Sequence, residues 1–162
     1  MSMICELFIV SPQTARQLIA DPTQIYDVLK SLEGSDSVLS LEKSWHGLHF
    51  AITGSAWEGS PPLNFLAGGG VQVGEEDVGY GPARLLDSNS VAALNAALTA
   101  FSDADFTRNF DPARLSGADI YPQIWDESLV DLKVEYGGYL QEMKAHVQRA
   151  SKTGQALLVA IR

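Results

Sequence analysis

Apolar residues open the chain in a short run, Met3-Ile4-Cys5-Glu6-Leu7-Phe8-Ile9-Val10, closed by Ser11-Pro12. A run of that length bounded by turn residues predicts a buried strand. Ser11 followed by Pro12 is a helix start, and Ala15, Leu18 and Ile19 mark that helix's inward face. Asp21-Pro22 repeats the device; Ile25, Val28, Leu29 and Leu32 then fall at spacings of three and four until Gly34. Two periods compete between Leu39 and Gly54. Leu41, Trp45, Leu48 and Ile52 keep a helical stripe, whereas Leu48 to Ile52 alone also passes for a strand. The longer period favours a helix.

Patterning fails between Ser55 and Tyr80, where Pro61-Pro62, Gly68-Gly69-Gly70, Gly74 and Gly79 punctuate a long loop. Loops of that length in a small domain carry function or are disordered. Within it Val71-Gln72-Val73 predicts a very short strand, and Ala83 to Leu86 a further one. Ser88 or Asn89 is placed to cap a helix with Val91, Leu94, Ala97, Leu98 and Phe101 on one face, poor enough in charge to be largely buried. Short helices follow around Phe106 and from Asp111-Pro112 to Leu115, then an irregular aromatic stretch from Ile120 to Trp125. From Glu127 or Ser128, Leu129, Leu132, Tyr136, Leu140, Met143 and Val147 predict the longest helix, with Gly137-Gly138 inside it as a mark of close packing or a kink. Ala156 to Ile161 is apolar throughout, the pattern of a strand covered on both faces.

Strongly apolar strands near both ends, with helices between, predict an α+β fold: a small mixed sheet including both terminal strands, packed by several helices, in a single compact domain over residues 1–162. That length suffices to bury a core without metal or disulfide. The net charge of −9 makes nucleic acid and anionic membranes poor partners and leaves a basic protein as the kind of partner it would steer. The single cysteine, Cys5, and the lack of a leader pattern or a long apolar span predict a cytoplasmic protein.

Several segments together resemble the YfbM-like family of bacterial proteins. They are the opening Met-x-Met-Ile, Leu41-Glu42-Lys43-Ser44-Trp45-His46-Gly47-Leu48-His49-Phe50 with Thr53-Gly54, the loop Gly79-Tyr80-Gly81-Pro82-Ala83-Arg84, and Ile120-Tyr121-Pro122. The resemblance spans essentially the whole chain and implies a compact α+β domain with no assigned catalytic residues.

Candidate chemistry is sparse. His46 and His49, three apart, share one side of a helix, but zinc needs more ligands than that pair supplies, so no metal is expected. The bland alternative makes His49 a hydrogen-bonded core residue and leaves His46 exposed. His146 reads as a surface residue paired with Glu142 four positions earlier. The glycine clusters match neither a phosphate loop nor a dinucleotide fingerprint, and no cofactor is expected. Asp111 and Asp126 read as helix caps. What remains is a polar and aromatic set, Trp45, His46, His49, Tyr80, Arg84, Tyr121 and Trp125, with Trp57 beside it: a binding site for a ligand or partner, or a small core under the long loop. Catalytic residues are not identified. The first reading is therefore a non-catalytic protein-interaction module, an adaptor or immunity-type protein using the acidic run Glu75-Glu76-Asp77. The alternative is a small-molecule-binding domain or small enzyme built on the His/Tyr/Trp/Arg cluster.

Overall fold

A computed structural model describes residues 2–162. Five strands, β1 (Cys5–Val10), β2 (Val38–Ser40), β3 (Val71–Gln72), β4 (Arg84–Leu86) and β5 (Ala156–Ile161), form one sheet in the order β2-β1-β5-β4-β3. The two terminal strands pair at its centre, Leu7 opposite Val159 and Ile9 opposite Leu157. All four ladders are antiparallel, so the sheet is not mixed. Neighbouring strands alternate in direction across the whole order, and no parallel pair arises among the described residues.

Seven α-helices cover the sheet: α1 (Pro12–Ala20), α2 (Ile25–Leu32), α3 (Trp45–Thr53), α4 (Ser88–Ala100), α5 (Asp103–Asn109), α6 (Pro112–Gly117) and α7 (Leu129–Lys152). Side chains of a strand alternate between faces, and β5 shows why it is apolar throughout. Leu157 and Val159 enter the larger core with α3 to α7, while Leu158 and Ala160 enter the smaller one with α1 and α2. Both leucines are sealed, a burial that stabilises the fold by roughly 1.5–3 kcal/mol each.

Several boundaries differ from the sequence reading. Leu39 and Ser40 belong to β2, because Leu39 pairs with Leu7 on the edge of β1; the helix that follows starts only at Trp45, after a 3-10 turn over Glu42–Ser44. Asp87, not Ser88 or Asn89, caps α4 by accepting the Ser90 N–H, and only Val91, Leu94 and Leu98 of that helix are buried. Ser128 caps α7, leaving Asp126 outside it. Helix α7 runs unbroken through Gly137 and Gly138.

Candidate functional site

Helix α3 is buried along nearly its whole length, from Trp45 to Ile52, which no amphipathic stripe foretells. His46 and His49 are both sealed, so neither is a surface residue. His46 accepts the Tyr121 N–H at Nδ1 (3.1 Å) and donates from Nε2 to the Ala56 carbonyl (2.8 Å). His49 donates from Nε2 to the Glu58 carbonyl (2.9 Å), and its Nδ1 has no partner. Desolvation favours the neutral ring in both cases, lowering His46 and bringing His49 down to about 4. The spacing that suggested a ligand pair instead ties two successive turns of α3 to the first residues of the long loop.

That anchoring places Trp57. Its ring lies 4.3 Å from the His46 ring and 6.0 Å from that of Trp45, and His46 in turn stacks on Trp45 at 4.9 Å. Trp45 is fixed from the other side, its Nε1–H donating to the Met3 carbonyl (3.1 Å), while the Tyr121 hydroxyl accepts the Met3 N–H (3.2 Å).

Beside these rings lies a cavity of about 240 Å³ at the end of the sheet where β5 finishes and β4 begins. Trp45, Trp57, Tyr80 and Arg84 line it with Met3, Ala67, Pro82, Val159 and Ile161. Trp57 and Tyr80, 58% and 41% exposed, form the rim. Tyr80 is set there by a tight turn: the Asp77 carboxylate accepts N–H bonds from Gly79 (2.8 Å) and Gly81 (2.9 Å), and Tyr80 N–H donates to the Ile161 carbonyl (2.9 Å). Those two amides hold Asp77 below the usual carboxylate range. Asp77 is thus committed to the turn through Oδ1.

Arg84 enters from β4 on the face that carries Val159. Its guanidinium donates to the carbonyls of Phe65 (2.8 Å), Leu66 (2.9 Å) and Gly69 (3.0 Å), and to that of Gly68, holding the loop closed. Burial lowers its pKa, and no carboxylate pairs with it among the described residues. Among the described residues its Nε–H has no partner, and it is not sealed from solvent.

Three of the seven predicted site residues therefore meet at the cavity: Trp45, Tyr80 and Arg84. His46 and Tyr121 stand behind it as supports. His49 does not line it. Trp125 belongs to the core, its Nε1–H bound to the Ile120 carbonyl (2.7 Å) and its ring 5.4 Å from that of Tyr136. Of the lining residues missed from sequence, Val159 and Ile161 arrive through the register of β5, and Met3, Ala67 and Pro82 through the irregular segments before β1, within the long loop and before β4, none of which single-sequence patterning encodes. His146 is buried rather than paired with Glu142: its Nε2 donates to the Leu7 carbonyl (3.0 Å) across α7 and β1. Cys5 is sealed, and burial pushes its thiol up to about 12, so it is no nucleophile. Among the described residues, no group of three or more His, Cys, Asp or Glu side chains is placed to hold a metal, and no helix is long and apolar enough to cross a membrane.

A five-stranded antiparallel sheet between two helical layers, with one aromatic cavity at its end, defines an α+β domain of a recognisable kind. The chain belongs to the family described as domain of unknown function DUF1877, whose model matches residues 1–160. Its fold is that of YfbM from Escherichia coli, a protein of unknown function, with a TM-score of 0.77 at 23% identity over 99% of this chain and 100% of that one. The resemblance to YfbM-like proteins read from the sequence is borne out. No curated protein matches the chain.

Proposed function

We propose that this protein is a non-catalytic small-ligand-binding domain. The observation that carries the reading is the cavity in which Trp45, Trp57 and Tyr80 stand around an arginine without a carboxylate partner. A concave, mostly apolar site with one charged group fixing orientation is the usual form of a ligand pocket. The non-catalytic part of the reading is supported by the lining: each histidine donates Nε2–H to a backbone carbonyl away from the cavity, and no His, Asp, Glu, Lys or Cys faces a bound molecule there. A net charge of −9 weighs against nucleic acid as the ligand. A fragment screen by thermal shift tests the reading, run in parallel on Ala67→Met, which fills the cavity from its wall. Compounds that raise the melting temperature of the natural chain and not of the variant support it. Equal stabilisation of both, or of neither, sinks it.

The protein-interaction reading keeps one specific observation. Leu129, Val130 and Val134 are exposed along the first turns of α7, the last two by more than two thirds. Val130→Asp and Val134→Asp abolishing co-purification of a stoichiometric partner from native cells is the outcome that reading requires.

A further inference from the structure

We propose that the cavity selects a small planar anion, a single aromatic ring bearing one carboxylate, with Arg84 as the group that reads the charge. The proposal rests on the ligand-binding reading above and specifies its ligand.

The sign of the charge follows from the lining. Trp, Tyr and Trp around a pocket would suit a cation through their ring faces. Here a permanently charged guanidinium shares the wall, and no Asp or Glu lines the cavity to neutralise either it or an incoming cation. Four loop carbonyls take the Nη1 hydrogens and one Nη2 hydrogen, but carbonyl dipoles leave the net charge in place. Nε–H and one Nη2–H remain, two donors for the two oxygens of a carboxylate. The loop carbonyls satisfy part of the guanidinium, and among the described residues no carboxylate balances its charge at the cavity wall.

The size follows from the volume. A dry cavity of about 150 Å³ takes benzene. The present one, about 240 Å³, accommodates one ring with a small substituent and excludes fused or nucleotide-sized molecules. The shape follows from the walls. Trp45 and Trp57 are inclined at 56° with centroids 6.0 Å apart, too close for a third ring between them. They form adjoining walls, so the ligand ring lies against one and edges the other, the tilted geometry aromatic pairs prefer. Tyr80 and Trp57 at the rim then cover its outer edge.

The cavity on the other side of the sheet lacks this combination. Lying between α1 and β4, about 370 Å³, it is walled by Ala15, Ile19, Leu85 and Ala156, and its charged neighbours Arg16 and Asp87 are of opposite sign.

Isothermal titration and tryptophan fluorescence on the whole protein, with benzoate, benzamide and benzylamine as probes, test the proposal. The three share a ring and differ in charge. Benzoate is expected to quench tryptophan emission and to bind about tenfold or more tighter than benzamide, with benzylamine weakest. Arg84→Lys, which keeps the charge and loses the fork, should erase most of that preference. Because Arg84 also holds the loop, Trp57→Ala supplies a second variant at a half-exposed position and should weaken all ring binding with only a small fall in melting temperature, the loss of its contacts with His46 and Trp45. Benzamide binding as tightly as benzoate, or benzylamine more tightly, overturns the anion assignment and leaves the ligand-binding reading standing. No binding by any of the three at millimolar concentration overturns the single-ring assignment, while the ligand-binding reading falls only with the fragment screen on the natural chain and Ala67→Met.

Discussion

A glycine in the middle of a helix ordinarily weakens it by roughly 1 kcal/mol against alanine, yet two helical glycines here call for opposite outcomes. At Gly47 in α3, a Cβ would lie 2.7 Å from the Tyr136 ring and 3.0 Å from Trp125. Both rings are packed in an aromatic cluster with Phe110 and cannot give way cheaply. Gly47→Ala should therefore destabilise by about 1–3 kcal/mol net, the usual cost of overpacking. At Gly138 in α7 a Cβ would meet nothing within 4 Å, so Gly138→Ala should stabilise by up to about 1 kcal/mol. Urea midpoints of the two variants check both signs. Gly47→Ala matching or exceeding the parent would show that α3 sits further from α7 than described. The adjacent pair Gly137-Gly138 drew attention in the sequence because repetition is visible there. Gly47 did not, because its reason is a ring 89 positions away at Tyr136.

At the level of elements, the rim of the cavity depends on a five-residue turn. Asp77 collects two backbone N–H groups, and Gly79 adopts φ 151 where a Cβ would stand 2.6 Å from the Arg162 backbone. Asp77→Ala removes the acceptor and should release Tyr80. Amide exchange at Gly79 to Gly81 is expected to speed up by tenfold or more, and ligand affinity to fall, while the melting temperature barely moves. Asp77→Asn, which keeps an acceptor oxygen, should retain most of the protection. Unchanged exchange in Asp77→Ala would mean that the Tyr80 to Ile161 bond fixes the turn alone. The two terminal strands, the long helix and most caps were legible because strong periodicity and local side-chain bonds specify them. Strand β2 was not, since three residues of edge strand carry no period. The cavity was half legible: aromatics and an arginine beside a glycine-rich loop pointed to Trp45, Tyr80 and Arg84. The role of His46 and His49 as loop anchors lay in carbonyls of residues 56 and 58, which have no side-chain signature.

For the molecule as a whole, all three histidines are buried and neutral, and that sets how stability depends on pH. His49 and His146 are lowered to about 4 and His46 is lowered as well, burial being the first cause in each. Arg84 and His46 reinforce the effect at His49, and Arg149 does so at His146. At His49 and His146 an unfolded chain takes up the proton near pH 6.5, whereas the folded chain resists until about 4; His46 shifts in the same direction. Stability is therefore complete above about 6.5 and falls as the pH drops towards 4, by up to about 1.4 kcal/mol per pH unit for each histidine. The carboxylates held low by hydrogen bonds, Asp21, Asp77, Asp87 and Asp105, contribute in a separate window, since their unfolded forms protonate only near 3.8. Urea denaturation at half-unit steps from pH 7.5 to 4.5 isolates the histidine part. His146→Gln, whose amide can still donate to the Leu7 carbonyl, should shallow the slope in that window by about one histidine's share. A slope that stays the same in His146→Gln would mean that the folded protein admits a proton at this ring, and that the contact between α7 and β1 opens well before the rest of the fold.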